Sequence, residues 1–215
     1  MQIGGNTYLV EIKLFPYLQG LVNFQKYSGQ LRAGQIAVHH VEIPFFDIIN
    51  YVVSHQAGYR TFELMPDRGF NYQGALNDYR TLFKTFELLC IHVTGDRTLA
   101  DIDVIIRRQI EAWSFNAYID WKAVKDAYEM AGDAALMLMW LLLNGELEAE
   151  YDEELANPAF QMVDKIVSHP RLWAEKTKWM VLQAYQDRYG QSLALMTNYS
   201  TVNEELREYP LDIHW

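Results

Sequence analysis

From Ala134 to Leu143 the chain runs through ten apolar residues without a break, AALMLMWLLL, held between Asp133 and the pair Asn144-Gly145. No other feature restricts the fold as much. Asp133 can cap a helix start, and Asn-Gly can stop one. A helix that is apolar on every side has no face for water, so it belongs in the middle of other elements. Ten residues make about 15 Å of helix, half the thickness of a bilayer core, which is too short to span one. A soluble helical protein built around this segment is expected, with no membrane contact. A chain of 215 residues buries roughly 70% of its unfolded surface, enough for a core that needs neither metal nor disulfide.

Half of the residues are hydrophobic and 21% are charged, a balance that excludes a disordered chain. The single cysteine, Cys90, excludes an intramolecular disulfide framework. Met1 to Val10 lack the basic-then-apolar pattern of a signal peptide. The expected location is the cytoplasm, or a virus particle assembled there. Net charge is −10 and the only adjacent basic pair is Arg107-Arg108, so direct nucleic-acid binding is not expected. The charge is unevenly placed. Ten of the 28 acidic residues lie between Asp126 and Asp164, where there is no Lys or Arg, and the remaining 18 balance the 18 basic residues. Such a block either meets a basic partner or forms a solvated face.

The pattern along the chain predicts an α+β protein that is predominantly α-helical, with a small N-terminal β-containing region packed on a helical bundle. Alternation of Val10, Ile12 and Leu14 predicts a strand over 8–15 that Pro16 ends. Residues 35–43 predict a second strand and 59–65 a third. Pro44 marks the start of a helix carrying Phe45, Ile48, Ile49, Val52 and Val53. Residues 17–34, aromatic and broken by Gly20, Gly29 and Gly34, have no clear period. After residue 71 the spacing is helical. Leu76, Tyr79, Phe83, Phe86, Cys90 and Val93 share one face of a helix that Gly95 ends. Thr98 to Phe115 forms another, with Asp101 and Asp103 in its first turn. Asp120 caps a helix that stops at Gly132, and Asp133 caps the central one. The acidic run 146–156 is a connector or exposed helix, Asn157-Pro158 starts a helix that runs to about Ser168, and 171–189 is amphipathic. Thr201 with Glu204 is a capping box for a short last helix. The expected organisation is a mixed α/β region over 1–70, a helical bundle over 71–190 and a C-terminal arm over 191–215.

Chemistry-bearing motifs are few. His39-His40 with Glu42 is the most suggestive: in a strand His40 and Glu42 share a face and need a third metal ligand, from His55 or His92. The plainer reading is a strand with one buried and one exposed histidine. Cys90 and His92 lie about 160° apart on a helix, so they cannot form a nucleophile–base pair, and Cys90 reads as a core residue. Asp101-x-Asp103 is explained by its place in a first helical turn. Gly29-x4-Gly34 has phosphate-loop spacing, but Gln35 stands where lysine is required. No catalytic residue, cofactor site or metal site is assigned.

Aromatic residues make up 14% of the chain, 14 of them Tyr and 6 Trp. Tyr and Trp are enriched at protein interfaces. A terminal Ile-His-Trp preceded by Tyr199 and Tyr209 looks like an arm that docks on a neighbour. The expected function is therefore a non-catalytic structural or adaptor subunit of a multi-protein assembly, such as a virus (phage) particle, with other subunits or copies of itself as partners. Tyr199, Tyr209 and Trp215 are candidate contacts, and so are Glu150, Asp152, Glu153 and Glu154 of the acidic run. Two other functions fit the same residues: an acidic inhibitor or regulator whose 126–164 face meets a basic site, and a metal-dependent enzyme using His40 and Glu42.

Overall fold

The structure is a computed structural model, and it describes residues 1–55, 72–116, 121–144 and 152–189. It is predominantly helical, with a three-stranded sheet at the N-terminus. The sheet is smaller than the sequence suggests. Strand β1 (Gln2–Ile3) pairs antiparallel with β2 (Asn6–Thr7) and parallel with β3 (Val38–His39), in the order β2-β1-β3. Gly4 and Gly5 both take positive φ (53° and 97°) and close the tight β1–β2 turn, where side chains rarely fit.

The expected strand over 8–15 is instead an irregular run ending in a 3₁₀ turn, Ile12–Leu14. Val10, Ile12 and Leu14 do pack on the core, but as partly buried side chains. Pro16 does not end a strand; it opens helix α1 (Pro16–Tyr27), where its missing N–H costs nothing. The second expected strand, 35–43, survives only as β3. The helix expected from Pro44 begins later, as α2 (Phe46–Ser54), because Phe45 adopts the left-handed conformation (φ 57°). The expected strand over 59–65 lies outside the described residues.

Helix α3 (Tyr72–Leu88) stops seven residues before Gly95. The cause is local. Cys90 takes a left-handed conformation (φ 56°), its N–H donates to Glu87 O (2.9 Å), and Ile91 N–H donates to Phe86 O (2.9 Å). That pair of bonds is a Schellman stop, usually built on glycine. Cys90 is consequently exposed and not part of the core, while Val93 is buried from the loop that follows.

Helix α4 (Leu99–Asn116) opens on a reciprocal capping box. Thr98 Oγ1 accepts the Asp101 N–H (3.3 Å), and the Asp101 carboxylate accepts the Thr98 N–H (2.8 Å) and hydroxyl (2.7 Å). The hydrogen bond from the Thr98 hydroxyl, and then the one from its N–H, hold the Asp101 carboxyl below its ordinary range.

Helix α5 (Trp121–Asn144) is continuous through Gly132-Asp133, where the sequence suggests a stop and a new cap. Among the described residues a Cβ at Gly132 would meet nothing within 4 Å, so none of them forces a break there. Ala134 to Leu142 are all buried, and α5 packs against α3, α4 and α7 (Glu175–Tyr189). Helix α6 (Asp152–Ser168) starts earlier than the Asn157-Pro158 signal and carries Pro158 inside it. It packs on α4 and α7. Helix α7 is buried around most of its circumference, including Thr177, Met180, Val181, Leu182, Ala184 and Tyr185, rather than along one stripe. Trp173, expected within that helix, lies just before it and is buried; its indole N–H donates to Ala131 O of α5 (2.8 Å). One connected cluster of buried side chains runs from Ile3, Phe15 and Phe46 through Phe83, Leu138 and Tyr185.

Candidate functional site

Most residues singled out from sequence fall where no side chain is described. Tyr199, Tyr209, Trp215 and Glu150 lie outside the described residues. Asp152, Glu153 and Glu154 form the first turn of α6, and their backbone alone is placed.

The histidine cluster is resolved. His39 is half-buried, and both ring nitrogens are engaged: Nδ1 with Val41 O (2.6 Å) and Nε2 with the Tyr17 hydroxyl (3.1 Å). A neutral ring that donates from Nδ1 to the carbonyl and accepts from Tyr17 satisfies both. Gln25 adds a second tie between α1 and β3, its amide donating to Val38 O (2.6 Å). His40 and Glu42 are exposed. His55 stacks on Tyr51 (4.4 Å, 27°) at the end of α2, and its Nδ1 lies 2.9 Å from Tyr51 O. His92 is exposed. Among the described residues no three of His, Cys, Asp and Glu gather closely enough to hold a metal ion.

The two aspartates of α4 separate in role. Asp101 caps the helix. Asp103 is partly buried and joins α4 to α6 through Lys165 (2.6 Å), with Arg107 as a second partner. Burial pushes its carboxyl up, but the hydrogen bonds and charges of Lys165 and Arg107 outweigh that and hold it below the ordinary range. This is a structural tie between helices, and its half-exposed partners limit its worth.

The feature that packing does not explain lies at the N-terminus. Nine large apolar side chains are exposed among the described residues, and six of them precede residue 55: Leu9, Phe24, Tyr27, Ile36, Val41 and Tyr51. The helical body hides its apolar residues far more completely. Helix α1 shows how the exposure arises. Phe15, Leu18, Val22 and Gln25 follow one another at helical spacing and are buried, so they set the helix's inner side. The phase then carries Gly20, Phe24 and Tyr27 outward, with Phe24 62% and Tyr27 93% exposed. Gly20 sits mid-helix, and a Cβ there would meet nothing within 4 Å. Glycine in a helix interior costs about 1 kcal/mol relative to alanine, and among the described residues no contact requires it here.

Sequence reasoning missed α1 and this outer side. Pro16 followed by Leu18, Val22 and Gln25 was the available signal, obscured by three glycines and the apparent strand before it. Among the described residues no helix is long and apolar enough to cross a membrane. No protein-family model, curated protein or solved structure matches this chain.

Proposed function

We propose that this chain is a non-catalytic structural or adaptor subunit of a multi-protein assembly, such as a virus particle, and that it meets its neighbours through the outer side of α1. The exposed aromatics Phe24 and Tyr27 carry this reading. An aromatic held on a rigid helix offers a large contact area at low entropic cost, and such residues dominate the energetics of many interfaces. The open position at Gly20, one turn before Phe24, supports it. A missing side chain there admits a neighbouring backbone closely, which gives the glycine a reason that the described residues do not supply. The partners are other subunits of the assembly, a second copy of this chain among them.

The double variant Phe24→Asp/Tyr27→Asp tests this. Both side chains are exposed, so the stability of the isolated chain should stay within about 0.5 kcal/mol per site of the parent. Association should be lost, read as a fall to monomer mass in light scattering or as absence from the sedimenting particle. A variant that assembles like the parent would sink the proposal, as would a parent chain that stays monomeric and partnerless in its native extract. In the same assay Gly20→Ala should stabilise the isolated chain by about 0.4–1 kcal/mol while weakening association.

A further inference from the structure

We propose that the connection between α6 and α7 is an acid-released latch, in which neutral His169 holds the 169–174 turn closed and protonation of its ring lets that turn open.

The latch is built from four contacts. His169 follows the last residue of α6 and is partly buried. Its Nδ1 accepts the backbone N–H of Leu172 (2.9 Å) and, at longer range, that of Arg171 (3.4 Å). An imidazole nitrogen can accept only while it carries no proton, so the closed turn requires the tautomer protonated on Nε2. The ring is wedged edge-to-face between two indoles, Trp113 of α4 (6.5 Å, 85°) and Trp173 of the turn (5.7 Å, 86°). Trp173 cannot retreat without breaking its bond to Ala131 O. Leu172 is fully buried, so its N–H has no ready exchange of partner.

Burial and one nearby charge oppose a cation on the ring. Lys178 on α7 is 3% exposed, and its ammonium pairs with Glu175 Oε1 at 2.7 Å. On α6 itself, Lys165 lies one turn earlier and is held by Asp103 of α4. From α4 the ring meets Trp113, and α5 presents the Ala131 carbonyl already taken by Trp173. Burial, and then the Lys178 charge, hold the imidazole below the ordinary histidine range. A proton on Nδ1 would also point at the Leu172 N–H, donor against donor.

The direction in pH follows. The folded ring binds a proton less readily than the open one, so the closed turn is fully stabilised above about pH 6.5, the ordinary histidine value. That stabilisation is lost as pH falls from there through the lower folded-state value. Hydrogen exchange of the full chain reads this at the Leu172 and Arg171 amides, as protection relative to the intrinsic rate at each pH. Protection should fall toward tenfold per pH unit through that window, while the buried amides of α5 keep theirs. The variant His169→Asn places a non-titrating acceptor near the Nδ1 position. It should remain protected at neutral pH and lose the pH dependence. Flat protection in the parent between pH 7.5 and 5, or a parallel fall in α5, would overturn the latch. An unchanged pH dependence in His169→Asn would overturn it as well.

Discussion

Phe83→Ala should remove about 3–5 kcal/mol from the folded state. Phe83 is fully buried in α3, meets Trp140 of α5 edge-to-face (5.2 Å, 76°) and lies against Tyr79 (6.3 Å). Truncation leaves a ring-sized void between two helices. Its walls include α5, which is fixed by α4 and α7 on its other sides. Such a site collapses poorly, which puts the cost toward the upper part of the range. Since a domain of this kind is stable by about 5–15 kcal/mol in total, about a fifth or more of its stability should go. Urea denaturation should show a lower midpoint with an unchanged slope. A loss under about 1.5 kcal/mol would mean that α3 does not press on α5 as described.

Gly4→Ala should cost about 2–5 kcal/mol, the sum of a left-handed alanine and an overpacked contact. At φ 53° the new Cβ would stand 2.7 Å from Glu42 Cα, 2.9 Å from Glu42 Cβ and 3.1 Å from Glu42 N. Two of those atoms are main chain, so no rotamer change relieves the clash, and β1 must move away from the segment after β3. The prediction is sharpened by its opposite: at Gly20 the same substitution is expected to stabilise. The two positions differ in φ and in what surrounds them, not in the chemistry of the change. Thermal melts of both variants against the parent check the pair. Equal effects of one sign would refute the account of the N-terminal turn.

What could be read in the sequence was the helical body. Thr98 with Asp101 marked the start of α4, and the run from Ala134 to Leu143 marked the centre of the bundle. Both signals are local chemistry that tertiary contacts reinforce. The N-terminal region was harder because its alternation and its glycines mislead. Val10, Ile12 and Leu14 alternate without forming a ladder, since β1 finds its partners at β2 and β3 instead. Gly132 looked like a helix stop, yet α5 passes through it because packing on α3, α4 and α7 supports the helix. Cys90 kept the apolar spacing of α3 but falls beyond its end, where φ decides its exposure. The candidate surface stayed hidden for a related reason. Phe24 and Tyr27 point outward only once the phase of α1 is set by its buried Leu18 and Val22.

From Ala134 to Leu142 helix α5 is apolar and buried around its whole girth, and α7 supplies one of its covers. A ribosome releases the chain from its N-terminus, so α5 emerges before α7 does. During that interval a strip of Leu, Met and Trp faces the surroundings unprotected. Chains truncated after Ser168 and released from the ribosome should therefore recruit a holding chaperone or clump, whereas chains carried through Tyr189 should not.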